Sequence, residues 1–302
     1  MRTNVVPISF STWLLRCLSA LPRASWRKRA HVYVLGLIWL VRFRSIRNIA
    51  TQAAGGAVDA LHHFLHDSPW EEQDLERAQQ ELIVQRVRRQ GDPARLILDD
   101  TPVERQGPHI EGLGVHHSGK GLVKGLCAVT AVVRVAGRAW SWAIRGYRPK
   151  RSCPAGAFRS KVDLAMEVLE TAGVLGPNVI VLMDTWYACK RILNRITAQG
   201  WRYVAAIRVN RRVRLSGRMT TVRHLAKGPR AYRTVRLSRR RKVRVARREA
   251  DLPGVGRVAI FITKTSGAVK FLISNDLALS PEEAVRLYAE RFRIEIFHRD
   301  VK

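Results

Sequence analysis

The sequence predicts an all-α N-terminal region followed by an α/β core with a mixed sheet and a β-rich insertion. Three observations carry that expectation. Apolar residues recur at helical spacing from Trp13 to Leu82, with little β-branched alternation. Beyond the punctuating Gly91-Asp92-Pro93, short apolar runs alternate with amphipathic stretches. From about residue 210 to 256 the chain turns to dense basic runs with period-two segments such as Lys242 to Arg247.

Within residues 1–90, Ile46 to Ala50 leads through Gly55-Gly56 to Ala60–Leu65. That is the outline of a helix-turn-helix, although two helices of an ordinary bundle give the same pattern. In residues 91–302, Arg95 to Asp99 reads as a short buried strand, and Leu122–Val135 with Arg138–Tyr147 as a hairpin turning at Gly137. Ala157–Ala172 is a helix with Val162, Leu164, Ala165, Val168 and Leu169 on one face. Asn178–Met183 is an apolar strand ending at Asp184, Trp186–Gln199 a helix closed by Gly200, and Tyr203–Val209 a further strand. Three strands, a helix, a strand, a helix and a strand is the order of an RNase H-like core. After the insertion, Arg257–Thr263 and Val269–Ser274 are strands again. Ser280-Pro281-Glu282-Glu283 then opens a helix, with Ser at the cap, Pro first and Glu completing the box. That helix is expected to run to the end of the chain.

The charge narrows the function. The chain carries 54 Lys+Arg against 24 Asp+Glu, a net +30, which favours a polyanionic partner, most simply nucleic acid. Hydrophobic content of 46% argues against disorder. Cys17, Cys127, Cys153 and Cys189 are scattered, with no Cys-x-x-Cys pair, which speaks against structural zinc or a disulfide framework and fits a reducing cytoplasm. The apolar stretch Val32–Val41 is too short to span a bilayer, so neither membrane insertion nor a targeting segment is expected.

The last helix carries the chemistry. Tyr288, Arg291, Glu295, His298 and Lys302 fall within an arc of roughly 80° on one helical face. Leu287, Ile294 and Val301 form the adjoining apolar stripe. Alone, Arg291 and Glu295 make an ordinary i,i+4 surface pair. Asp99 and Asp184, however, each close an apolar strand, where a carboxylate is costly unless a cation compensates it. Three carboxylates from two strands and a helix supply hard oxygen ligands for two Mg²⁺ or Mn²⁺ ions, which serve in-line displacement at phosphorus.

Tyr288-x2-Arg291-x3-Glu295-x6-Lys302 matches every position of the Y-R-E-K signature, and in it the chain resembles insertion-sequence transposases with an RNase H-like DDE core. Asp99-Asp100-Thr101 is similar to that family's first-acid motif, Asp184-Thr185-Trp186-Tyr187 to its second, and Asn48–Trp70 to its N-terminal region. The resemblance implies a catalytic, metal-binding triad of Asp99, Asp184 and Glu295. It implies that Tyr288, Arg291 and Lys302 contact phosphate or transposon-end DNA, and that a β-strand insertion separates the second acid from the Glu. The reaction implied is hydrolysis at inverted-repeat ends to free a 3′-OH, then its transfer into target DNA, with a homodimer allowed in the DNA complex. The family's acid–x–Ser/Thr pattern favours Asp99 over Asp100; strand alternation adds only that one of the two can face the metals.

Two rival readings fit parts of the chain. One is a DNA-binding protein without catalysis, a transposase remnant or a repressor using the N-terminal helices, suggested by the stop at Lys302. The other is a non-transposing RNase H-like nuclease. His62, His63 and His66 read as a half-exposed helix face rather than metal ligands. His116 to Gly121 lacks the first glycine of a phosphate loop, and Trp140, Trp142, Trp186 and Trp201 read as core.

Overall fold

The computed structural model describes residues 8–40, 45–53, 55–107, 109–118, 121–226, 231–239, 241–265 and 267–301. Lys302, the last residue of the Y-R-E-K signature, lies outside the described residues. Two compact units form, Met1–Gln85 and Arg86–Lys302.

The first unit is helical, as its 3.6-residue periodicity demands: α1 (Ile8–Leu18), α2 (Ala24–Trp39), α3 (Ile46–Ala53), α4 (Val58–His66) and most of α5 (Glu72–Gln90). Leu14, Leu18, Trp26, Ile49, Leu61 and Phe64 form its core. Helices α2 and α3 approach so closely that a Cβ on Gly36 would lie 2.5 Å from Ile49 Cγ2, which is why that position takes glycine. Gly55 and Gly56 turn the chain between α3 and α4 with positive φ. The Trp70 indole stacks on Phe64 and donates to its carbonyl at 2.7 Å, closing the far end of α4. Among the described residues no helix is long and apolar enough to cross a membrane.

The second unit is built on one large sheet. Its first part comprises β1 (Ala94–Glu104), β2 (Gly114–Ser118), β3 (Gly121–Val135), β4 (Arg138–Tyr147), α6 (Lys161–Thr171), β5 (Val179–Met183), α7 (Lys190–Ala198) and β6 (Arg202–Ile207). Strands β4-β3-β1-β5-β6 lie in that spatial order; β3 is antiparallel to both neighbours, and β1, β5 and β6 are parallel. This is the RNase H-like arrangement expected. The β3–β4 hairpin turns at Ala136-Gly137, both with positive φ, as a two-residue hairpin turn requires.

The rest of the chain extends the same sheet. It contributes β7 (Arg212–Leu215), β8 (Arg218–Thr221), α8 (Val222–Leu225), β9 (Arg233–Arg236), β10 (Lys242–Leu252), β11 (Gly256–Lys264) and β12 (Val269–Ser274). β12 pairs antiparallel with β6, and the order continues β12-β11-β10-β7-β8. The basic stretch is therefore β-rich as expected, but its strands widen the main sheet through β11 and β12. They do so because Val243, Val245, Phe261 and Leu272 supply alternate apolar positions that join the central core.

Two helical layers cover this sheet. α6 and α7 lie over one face, contacting β3, β4 and β6. The chain ends in α9 (Pro281–Glu290) and α10 (Phe292–Val301). Ala284, Val285 and Ile294 of these helices pack with Ile97, Ile180, Leu182 and Val204 on the other face. The Ser280–Glu283 capping box and Pro281 start α9 as expected. A second box, Ser160 with Asp163, starts α6 at Lys161 rather than at Ala157.

Candidate active site

The parallel ladder between β1 and β5 runs from Ala94↔Val179 to Leu98↔Met183. The next residue on each strand is an acid. Register alone therefore sets Asp99 beside Asp184, where β5 ends and β1 runs on past its parallel partner. That is where α/β sheets open a crevice for ligands.

β1 does not stop there, as the short-strand expectation had it. It continues to Glu104 along β3, with Asp99 opposite Thr130 and Asp100 opposite Val129. A strand can carry two consecutive carboxylates because each meets a cation. Alternation sends Asp99 to the face of Ile97, under α9 and α10, and Asp100 to the face of Leu98, under α6. Asp99 Oδ2 accepts from Arg291 Nη1 at 2.8 Å. Asp100 Oδ2 instead pairs with Lys161 Nζ and accepts from Cys127 Sγ at 3.5 Å. Burial opposes the Lys161 charge, but Asp100 outweighs it and raises the lysine pKa.

Asp184 leaves β5 into a turn of its own making. Its Oδ1 accepts from the backbone N–H groups of Trp186 at 2.9 Å and Tyr187 at 3.3 Å. Those bonds keep Trp186 and Tyr187 out of α7, which begins at Lys190 rather than at Trp186. Tyr187 is fully buried and Trp186 is 55% exposed, so Trp186 is not a core residue as expected, whereas Trp142 and Trp201 are.

The terminal helix also departs from expectation. It breaks at Arg291, where Arg291 N–H bonds Tyr288 O and Ile294 N–H bonds Arg291 O, the tighter i→i+3 spacing. The cause lies in two consecutive side chains that grip the same face of the sheet. Glu290 is held by Arg95 (3.5 Å) and by Arg134, which oppose each other across β1 and β3. Arg291 reaches Asp99. Successive residues of a straight helix diverge by about 100°, so two consecutive grips on one face favour a break between them.

Arg291 is 9% exposed and bridges two acids, with Nη1 on Asp99 and Nη2 on Glu295 Oε1, both at 2.8 Å. The Arg291–Glu295 contact is thus the outer half of a bridge whose inner half, to Asp99, is buried. The guanidinium lies over the Tyr288 and Phe292 rings, 5.8 and 5.2 Å from their centres. One turn on, His298 is buried and sits 2.7 Å from Thr130 Oγ1, which donates to Asp99 O at 3.2 Å. With that proton given, Thr130 accepts from His298 Nε2. Thr130, Lys161 and Cys127 were not foreseen; the β1–β3 pairing brings in Thr130 and Cys127, and the packing of α6 brings in Lys161.

The electrostatics separate the acids. Burial pushes the Asp99 carboxyl up to about 7 despite Arg291, with Asp184 adding to the rise. Burial also raises Asp184, against the two backbone hydrogen bonds it accepts. Both are carboxylates short of positive charge. Among the described residues, no three carboxylates, imidazoles or thiols stand close enough to hold a metal ion as they are. The Glu295 side chain remains half exposed and is tied to Arg291.

A sequence profile for the DDE superfamily endonucleases matches residues 16–255. The chain belongs to this family. The matched stretch holds Asp99, Asp100 and Asp184 and ends before α9, which carries the chain to Arg291 and Glu295. A probable transposase for insertion sequence element IS701 from Microchaete diplosiphon is 27% identical over 188 residues. That alignment covers 60% of this chain, which spans about half the length of the relative.

Proposed function

We propose that this DDE endonuclease is a transposase that hydrolyses phosphodiesters at the ends of a mobile element and joins the freed 3′-OH to target DNA. The observation carrying this reading is the gathering of Asp99 and Glu295 on one buried arginine, whose charge also acts on Asp184, at the carboxyl end of β5. The IS701 relative supports the transposase reading, and net +30 suits a DNA partner.

The donor set fits two Mg²⁺ or Mn²⁺ ions. Hard carboxylate oxygens, two of them raised in pKa by burial, are groups that a divalent cation would stabilise in the ionised form. Asp99, Asp184 and Glu295 would hold it, and when bound it supplies activation of the attacking oxygen and stabilisation of the leaving one. Arg291 now provides part of the positive charge those acids need. For Asp99 and Glu295 to act as ligands the guanidinium must let them go, and the scissile phosphate is the natural acceptor for its fork. The Tyr288 and Phe292 rings lie against that fork and help hold it in place. Thr130 and His298 hold the β1 backbone at Asp99. Lys302 completes the signature as a phosphate contact. In the first unit, α3 and α4 would bind the element's ends as a helix-turn-helix, and two copies would assemble on paired ends.

The test is cleavage of element-end DNA in Mg²⁺ by Asp184→Ala and Glu295→Ala. Both variants should bind that DNA and fail to cut it. Normal cutting by either overturns the assignment, and loss of binding by both would leave the acids with a structural role instead.

A further inference from the structure

Two clefts on the extended half of the sheet share a floor. The first, about 570 Å³, opens beside Trp186 and is lined by Arg208, Arg211 and Arg212. The second, about 800 Å³, continues past Arg223 and Lys270 to Tyr288. Thr185, Ile207, Arg208 and Asn210 line both, so the two form one groove beside Asp184, the neighbour of Thr185. No carboxylate lines either cleft.

The cations of this groove stand without acids among the described residues, whereas several others in the unit are paired. Arg134, Lys161, Arg191, Arg257 and Arg286 each hold an acid. Arg208, Arg211, Arg212, Arg223 and Lys270 make no ion pair among the described residues, and all are exposed or half-exposed. They stand on a fixed frame, since Arg223 N–H bonds Val209 O and Val222 N–H bonds Arg211 O, both at 2.9 Å. Like charges gathered on a rigid frame repel one another, and a polyanion laid along them relieves the repulsion and releases counterions.

We infer that this groove holds the sugar–phosphate backbone of the DNA strand carrying the scissile phosphate, leading it to Asp184. The inference rests on the DNA-cutting reading above and adds where the strand lies. Asn210 and Thr221 supply neutral donors between the cations.

The test uses the full chain without metal, so cutting plays no part in it. Binding of a labelled oligonucleotide, single-stranded or duplex, is followed across salt concentration. Two triple variants are compared with the unaltered protein: Arg211→Gln/Arg212→Gln/Arg223→Gln in the groove, and Arg236→Gln/Arg239→Gln/Arg248→Gln outside it. The groove variant should lose at least tenfold in affinity, and its log–log salt slope should flatten by about two, at roughly 0.7–0.9 per lost phosphate contact. The outside variant should lose about threefold at most. Such a loss on either DNA form supports the groove, and the form that loses more tells whether the strand enters paired. Equal losses by the two variants overturn it while leaving DNA cutting intact. No DNA binding by the unaltered protein at low salt overturns both. Cys189 also lines the groove, whereas Cys153 does not. Bound DNA should slow alkylation of Cys189 relative to Cys153, and unchanged relative rates would contradict the placement.

Discussion

Asp99 and Asp100 are consecutive on β1, yet the pleat sends them to opposite faces, and each face answers its carboxylate differently. Lys161, the first residue of α6, meets Asp100 as a one-to-one pair, with both side chains 17% exposed. Over Asp99 lies a single arginine shared with Glu295, and Asp184 stands beside it. One face closes its charge balance locally. The other leaves two acids short of charge, and that shortage is what a metal site exploits. Identity of residue type therefore says little about role; the partner supplied by the facing helix decides it.

Breaking each side separately should give unlike results. Asp99→Ala should lower single-turnover cleavage of end DNA by about 10³-fold or more, equivalent to about 4 kcal/mol of transition-state stabilisation, with DNA binding retained. Asp100→Asn should keep cleavage within about tenfold and instead destabilise the fold by on the order of 3 kcal/mol, because Lys161 is left half-buried without its partner. Chemical denaturation alongside the cleavage assay separates the two.

The pH dependence sharpens the same contrast. The folded Asp99 carboxyl, near 7, is well above its ordinary 3.8. The metal-free folded protein then binds a proton that the unfolded chain releases, so its contribution is present at low pH and is lost as pH rises from about 4 to about 7. The loss corresponds to roughly 4 kcal/mol. Asp99→Asn should flatten that slope in metal-free unfolding curves. A slope unchanged by Asp99→Asn would place the titration elsewhere.

Smaller effects test the supports. Thr130→Val removes the hydroxyl between Asp99 O and His298 and should cost about 1–2 kcal/mol of stability, with a matching drop in cleavage rate. Ser160→Ala and Ser280→Ala remove the two capping boxes and should each cost about 1 kcal/mol by thermal denaturation. Only Ser280→Ala, which loosens the helix leading to Arg291, should also slow cleavage.

Much of this was legible in residue order. The strand and helix succession of the core follows from apolar runs and turn residues, and the box at Ser280 is written in four consecutive letters. Asp99 and Asp184 stand out because each follows an apolar strand, and Glu295 because it sits in the Y-R-E-K signature that the chain shares with insertion-sequence transposases. What periodicity could not reach were features set by distant partners. The bend at Arg291 depends on Arg95 and Arg134 gripping Glu290, nearly two hundred positions upstream in the first case. Extension of β1 past its acids depends on Lys161 and Arg291. Trp186 stays out of α7 because the Asp184 carboxylate takes its N–H, a local turn that helix periodicity alone overlooks.

On the proposed mechanism Asp99, and not Asp100, would hold the metal that serves DNA cutting. Replacing each in turn by cysteine tests it, because a thiolate favours softer ions over Mg²⁺. Asp99→Cys should fail to cleave end DNA in Mg²⁺ and regain cleavage in Mn²⁺ or Cd²⁺, while Asp100→Cys shows no such change of metal preference. A change of preference at Asp100 with none at Asp99 would contradict the account.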